Sequence, residues 1–247
     1  MDVSIVIPIY NSHALVEGAV NRLVRVLEAA GRDYEILLRD DGSRGDMRSV
    51  FKKIASEYVR VRCFHNPANQ GLGATLRALF HDARGERVVY CDCDLPFGED
   101  VILKLLDRLE SCDIAVASRY AGIRGRVAFL RWVFSRAYFW LCKILFHIPV
   151  FDVGSGCVAI RRSALQKLNL SAKGFDIHAE IYVQARHWGL ALKEVPAEAA
   201  QCTRGSFSVF RHGFGVIAGT VGLYLRRVKD TIGYEHSQRG EKKRILK

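Results

Sequence analysis

An α/β architecture with a mostly parallel central sheet follows from three observations on the sequence. Short β-branched apolar runs alternate along the chain with stretches whose apolar residues recur at helical spacing. The runs are apolar throughout rather than apolar and polar by turns, which suits strands covered on both faces. Acidic, glycine and proline residues cluster just after these runs, where an open α/β sheet binds its ligands, and the strand and helix alternation implies right-handed crossovers.

In chain order, VSIVIPIY (3–10) reads as a first strand ending near a proline, and residues 12–30 as a helix carrying Leu15, Val16, Val20, Leu23, Val24 and Leu27. YEILLRDD (34–41) is the second strand and residues 46–57 a helix. A strand at 61–64, a helix after GLG (71–73), a strand at 87–91, a helix at 99–109 and a strand at 113–118 continue the pattern. Residues 120–151 differ in character, with nine aromatic residues set among arginines. A glycine-rich turn DVGSGC (152–157), a strand VAIRR, a helix over 176–189, a strand ALKEVP and an apolar segment at 212–225 follow. The chain of 247 residues is expected to be one domain over 1–230, with a nucleotide-binding half at 1–118, an acceptor half at 119–230 and a loosely ordered polar tail at 231–247.

Lysine and arginine outnumber acids by 37 to 26, and the surplus is local. No acid lies between Asp113 and Asp152 or between Glu198 and Asp230, and the basic residues of these two stretches equal the whole net charge of +11. An excess placed this way calls for an anionic partner: nucleic acid, a phosphorylated substrate or acidic headgroups. Seven cysteines without a C-x-x-C pair, and no opening signal segment, fit a reduced compartment without structural zinc. No run of eighteen apolar residues is free of charge, so a spanning helix is not expected, whereas a helix lying on a membrane is compatible with the pattern.

The chemistry concentrates in VVYCDCDLPFGED (88–100). Asp92 and Asp94 can address one ion only if strand alternation breaks after Cys91, and Pro96 and Gly98 provide the break. Two hard oxygen donors suit Mg²⁺ or Mn²⁺ together with a diphosphate. Cys91 and Cys93 lack zinc-site spacing and are expected on the opposite side of the strand, as small core residues. Asp40, Asp41, Gly42 and Ser43 form a second acidic loop, suited to a ribose or base, with Gly42 allowing close approach. GLG lacks the third glycine of a dinucleotide fingerprint, GSG (154–156) lacks the spacing of a hydrolase nucleophile, and His178, His187 and His212 show no metal spacing.

VSIVIPIYN, LLRDDGS, NPANQGLGATLRALF, YCDCDLPFGED, ASRY, DVGSGCVAIRRSAL and EVP…TRGSFS, in that order from residue 3 to about 215, resemble glycosyltransferase family 2, and within it the dolichyl-phosphate or polyprenyl-phosphate mannose and glucose synthases. The resemblance implies the GT-A fold with amphipathic interface helices. It assigns Pro8, Tyr10 and Asn11 to a first nucleotide-contact loop and Asp40, Asp41 and Ser43 to the base and ribose. It makes Asp92 and Asp94 the D-x-D that holds metal and diphosphate. Arg119, Arg131 and Ser135 fall on the acceptor phosphate, Glu180 near the donor sugar, and Arg204 and Ser208 on the segment closing over the donor phosphates. Departures are His13 for the usual Glu, Ala117 for Gly, Pro96 for Gln and Ser208-Val209 for Ser-Lys.

By this resemblance the chain is expected to transfer a hexose, mannose first, from a nucleotide sugar such as GDP-mannose or UDP-glucose to a polyprenyl or dolichyl phosphate. The reaction would be metal-dependent and inverting, on the cytosolic membrane face, with peripheral attachment or an anchoring partner and no nucleic acid. The abundance of large aliphatic residues beside the rings of 119–151 favours lipid over single-stranded nucleic acid. The alternatives are a family member acting on a hydroxyl acceptor, which would need a base near Glu180, and a non-catalytic nucleic-acid or regulatory binding protein.

Overall fold

The computed structural model describes residues 1–121, 129–198 and 215–225, with the backbone alone at 129–131. Seven strands form one sheet: β1 (Val3–Ile9), β2 (Tyr34–Asp40), β3 (Val61–His65), β4 (Arg87–Cys91), β5 (Ile114–Ser118), β6 (Cys157–Arg161) and β7 (Leu192–Pro196). The helices are α1 (His13–Ala29), α2 (Met47–Glu57), α3 (Leu72–Asp82), α4 (Val101–Arg108), α5 (Phe129–Phe146), α6 (Arg162–Leu165) and α7 (Ile177–His187), and residues 215–225 are also helical. The sheet order is β3-β2-β1-β4-β6-β5-β7. Every pairing is parallel except those of β6, which runs antiparallel to both β4 and β5.

The continuous apolar runs are buried on both faces, as expected. Val3, Ile5, Ile7 and Ile9 of β1 pack with Val16, Val20 and Leu23 of α1, with Met47, Phe51 and Ile54 of α2, and with Val101, Leu105 and Leu106 of α4. On the other face Val6, Leu37, Val88 and Tyr90 pack with Leu76 and Leu79 of α3, Phe139, Cys142 and Phe146 of α5, and Ile177, Ile181 and Tyr182 of α7. Burial of this apolar surface from both sides is the main force assembling the layers.

The direction of β6 matters for function. In an all-parallel sheet the 152–156 turn would lie at the opposite edge from the acidic loops. Because β6 is antiparallel, its first residue, Cys157, pairs with Cys91, the last residue of β4. The turn therefore stands beside the D-x-D, at the edge where β1, β2, β4 and β5 all end.

Candidate functional site

Strand alternation places Tyr90 and Asp92 on one side of β4 and Cys91 and Cys93 on the other. Both cysteines are buried in the β1 core, in agreement with the sequence, and burial pushes the Cys93 thiol up to about 12 and raises that of Cys91 well above its ordinary value. Thiols so far from ionisation are poor ligands for a soft metal. After β4 the chain turns: the Leu95 amide donates to the Asp92 carbonyl at 3.0 Å with Leu95 at φ 46°, and the Gly98 amide donates to the Leu95 carbonyl at 2.9 Å with Gly98 at φ 73°. The break expected from Pro96 and Gly98 is thus completed by a left-handed Leu95.

Asp92 is fixed from three directions. Its amide donates to the Gly156 carbonyl at 2.8 Å, and its Oδ1 accepts from the Tyr90 hydroxyl at 2.5 Å. A Cβ at Gly156 would meet Asp92 Oδ2 at 2.2 Å, so glycine there leaves space for the carboxylate. Behind Tyr90 lies His178, its Nε2 3.3 Å from the phenol oxygen and its ring stacked at 5.5 Å. Burial pushes His178 down to about 4, which keeps it neutral. The sequence leaves His178 as a surface or core residue, and its place beneath the D-x-D was not legible there.

The two loops at the ends of β1 and β2 are joined to each other. The Asn11 amide donates to Ser43 Oγ at 2.8 Å, the Arg44 amide to Asn11 Oδ1 at 2.9 Å, and the Ser43 amide to Asp40 Oδ1 at 3.1 Å. Asn11 adopts φ 52°, a conformation asparagine tolerates better than most residues. Asp40 also meets His65 Nδ1 at 3.3 Å. Asp41 accepts from Asn66 Nδ2 and from the Gln70 and Gly71 amides, each at 2.9 Å. Both carboxylates are 4% exposed. Pro8 and Tyr10 lie at the same edge, with Tyr10 exposed. Gly42 is at φ 68°, and its Cβ position would stand 2.5 Å from the Ala68 carbonyl carbon, so on that side the close approach is by the chain itself.

Two further site residues of the resemblance have partners within the chain. Arg119, expected at the acceptor phosphate, pairs with a carboxylate. Its Nε and Nη2 donate to Asp152 at 2.8 and 2.7 Å, its amide donates to the same carboxylate, and Asp152 is fully buried. Burial would lower the arginine, but the hydrogen bonds and charge of Asp152 overcome it and raise it. Glu180, expected near the donor sugar, is buried and accepts from the Ser171 hydroxyl and from the Ser171 and Ala172 amides at 2.7–2.9 Å. It shapes the 171–173 loop, whose Lys173 carbonyl accepts from the Gly73 amide at the start of α3. Its reach toward the site runs through backbone.

Ser135, expected at the acceptor phosphate, is half-buried on α5 beside Arg136, whose Nη2 donates to the Phe151 carbonyl at 2.6 Å and whose guanidinium lies 3.9 Å from the Tyr120 ring centroid. The Arg131 side chain, Arg204 and Ser208 lie outside the described residues. Trp132, Phe134, Trp140 and Ile144 of α5 are exposed, as are Ile217 and Leu225 of the helical stretch 215–225. That stretch packs on α5 through a Tyr138 to Thr220 hydroxyl pair at 2.9 Å. No helix of the described residues is long and apolar enough to cross a membrane.

The donor set fits a hard divalent ion only in part. Among the described residues no group of three or more His, Cys, Asp or Glu could hold a metal. Asp92 and Asp94 are two carboxylates on one turn, which is the partial protein set Mg²⁺ accepts when phosphate and water complete its shell.

Residues 4–168 match the family described as Glycosyl transferase family 2. The chain is 28% identical over 256 residues to Dolichol-phosphate mannosyltransferase of Pyrococcus furiosus, covering 100% of this chain and 67% of that one. It is 29% identical over 202 residues to Polyprenol monophosphomannose synthase of Mycolicibacterium smegmatis, covering 78% and 75%. Glycosyltransferase AglD of Haloferax volcanii is 28% identical over 207 residues, 80% of this chain but only 33% of that protein, so the chain spans about a third of its length. Among solved structures, glucosyl-3-phosphoglycerate synthase of Mycobacterium tuberculosis in complex with Mn²⁺, UDP-glucose and phosphoglyceric acid superimposes with a TM-score of 0.71 at 20% identity, covering 90% and 79% of the two chains. At that identity the likeness speaks for the fold.

Proposed function

The chain belongs to glycosyltransferase family 2, and from that premise we propose that it transfers a hexose, mannose first, from a nucleoside diphosphate sugar to a polyprenyl phosphate at the cytosolic face of a membrane. It is a glycosyltransferase with relatives named for dolichol-phosphate and polyprenol-phosphate mannose transfer. The observation that carries the finer reading is the juxtaposition at one sheet edge. The Asp92 and Asp94 turn lies at the end of β4, the linked 10–12 and 40–44 loops at the ends of β1 and β2, and the basic, aromatic α5 follows β5.

In this reading the Asn11, Asp40 and Ser43 network holds the loop edge against which the nucleoside rests, with Tyr10 exposed beside it. Asp92 and Asp94 would hold Mg²⁺ or Mn²⁺ against the diphosphate, where the ion supplies Lewis-acid stabilisation of the departing nucleoside diphosphate. A lipid phosphate oxygen attacks the anomeric carbon, the bond from that carbon to the β-phosphate oxygen breaks, and its electrons leave with the nucleotide. One such displacement inverts the anomeric centre. A phosphate dianion is ionised at neutral pH, so the chain need not provide a general base. That agrees with a Glu180 carboxylate fully engaged with its own loop. Arg119 keeps Asp152 and the 152–156 turn in place beside the D-x-D.

The exposed rings and aliphatic side chains of α5 and 215–225, with Lys143 and Arg136 among them, would rest on an anionic leaflet. Arg131 and Ser135 are proposed to face the lipid phosphate, and Arg204 and Ser208 the donor phosphates. A panel of GDP- and UDP-sugars with Mn²⁺ or Mg²⁺ and a polyprenyl phosphate in detergent tests the proposal, scored for lipid-linked sugar. Transfer from one donor, lost on chelation, is the expected result; sugar moved only to a hydroxyl acceptor would refute it.

A further inference from the structure

We infer that Tyr90 is a positioning residue for Asp92, and that Tyr90, His178 and Gly156 together set the orientation in which Asp92 meets a divalent cation. The inference rests on the metal-binding reading of the D-x-D and deepens it, because nothing in the motif itself says how its first carboxylate is held.

Tyr90 is 1% exposed and fills the core between β4, α3 and α7. A phenylalanine would fill that volume equally well, so packing alone does not explain the hydroxyl. That hydroxyl reaches the surface turn and donates to Asp92 Oδ1 at 2.5 Å, a distance typical of hydrogen bonds to a charged acceptor. His178 supports the phenol from behind. Its Nδ1 lies 3.1 Å from the Phe175 carbonyl, which can only accept, so the ring proton sits on Nδ1 and Nε2 faces the phenol as an acceptor. The tyrosine has one proton to give, and the shorter contact, 2.5 Å to Asp92 against 3.3 Å to Nε2, directs it to Asp92. Ring stacking at 5.5 Å and 28° holds the phenol plane.

Gly156 provides an independent observation on the same carboxylate. Its position is fixed by the β4–β6 pairing, through the Asp92 amide on the Gly156 carbonyl, and any side chain there would collide with Asp92 Oδ2 and Cγ at 2.2 and 2.9 Å. One oxygen is held by a donor while the other occupies space that a missing Cβ leaves open. Two constraints from different elements converge on one rotamer. Groups that orient a metal ligand in this way typically contribute 10–100-fold in affinity.

The test is a Mn²⁺ titration of the full chain with saturating GDP or UDP, following the electron paramagnetic resonance signal of the free ion. Tyr90→Phe is expected to weaken Mn²⁺ binding by about ten-fold, while nucleotide binding without metal and the thermal melt stay close to the parent. Gly156→Ala, which displaces the same carboxylate and keeps the hydroxyl, should act in the same direction. It decides the question if Tyr90→Phe does not fold. Asp94→Asn is the reference. If it abolishes Mn²⁺ binding while Tyr90→Phe and Gly156→Ala remain within about two-fold of the parent, the positioning role is overturned and the metal reading stands. If Asp94→Asn also binds Mn²⁺ as the parent does, both are overturned.

Discussion

The two sides of the site treat their functional groups in opposite ways. On the nucleotide side, Asn11, Asp40, Ser43, Asp41 and Asn66 satisfy one another, and even the close approach at Gly42 is filled by the chain. On the acceptor side, Trp132, Phe134, Trp140 and Ile144 of α5 and Leu225 beyond them stand open to solvent. The first arrangement is pre-organised: its loops are held before any ligand arrives, so binding loses little further entropy. The second is incomplete by itself, since a patch of large apolar side chains on the helix that carries Arg136 and Lys143 gains free energy only when something covers it. In the proposed reading, a pre-organised donor side beside a surface awaiting an amphiphile is what transfer from a soluble nucleotide to a lipid requires.

The largest effect is expected where the two sides meet. Asp94→Asn should reduce metal-dependent transfer by about a thousand-fold or more, since Lewis-acid stabilisation is worth several kcal/mol and each 1.36 kcal/mol is a factor of ten. The measurement is kcat/KM at saturating Mn²⁺; activity within ten-fold of the parent would remove the D-x-D from the mechanism. Arg119→Ala comes next and acts differently. It leaves Asp152 charged and fully buried without its bidentate partner, a loss of about 3–5 kcal/mol. Denaturant unfolding should therefore register it before any kinetic assay does. If stability holds and only the acceptor KM rises, Arg119 belongs to the phosphate site after all, and the acceptor side is less open than drawn here.

His178 provides a smaller, pH-dependent effect, joining α7 to the nucleotide half through Tyr90. Burial pushes it from the ordinary 6.5 down to about 4. Between those values the unfolded chain binds a proton that the folded chain refuses. This contribution to stability is full above about pH 6.5 and is lost progressively as pH falls toward 4, amounting to about 3 kcal/mol. Unfolding at pH 7 and 4.5 should show the loss in the parent and a flatter profile in His178→Asn. Equal slopes would place the titrating group elsewhere.

Much of the frame was legible in the sequence, because apolar runs and helical periodicity report burial directly. The alternation around Cys91 and Cys93 even gave the correct face for each side chain. What stayed hidden depends on contacts distant in sequence. A five-residue run such as Cys157–Arg161 carries no sign of its direction, so the antiparallel β6, and with it the place of Gly156 beside Asp92, came only from the structure. Asp152 reads as part of a turn, since its partner Arg119 lies in another element. Glu180 has the look of an acid at a helix start, and nothing local shows that Ser171 and Ala172 will occupy it. Family resemblance names side chains without their partners, so it cannot tell a group that meets a ligand from one that holds the loop which does.

The smallest effect on stability is expected on α5. Trp140 and Ile144 are four residues apart on one helical face and 57% and 69% exposed. Since little of either is buried, Trp140→Glu and Ile144→Glu should each change unfolding free energy by no more than about 0.5 kcal/mol. Transfer of sugar to an acceptor dispersed in detergent should be unaltered. Binding to anionic vesicles should fall by about ten-fold, because immersing one large apolar side chain is worth about 1.5–3 kcal/mol and the new charge opposes the leaflet. Sedimentation with vesicles of phosphatidylglycerol and phosphatidylcholine measures this, with pure phosphatidylcholine as the control. Should either substitution instead cost several kcal/mol of stability, the patch is covered in solution by protein and not by lipid, and the contrast between a closed donor side and an open acceptor side fails.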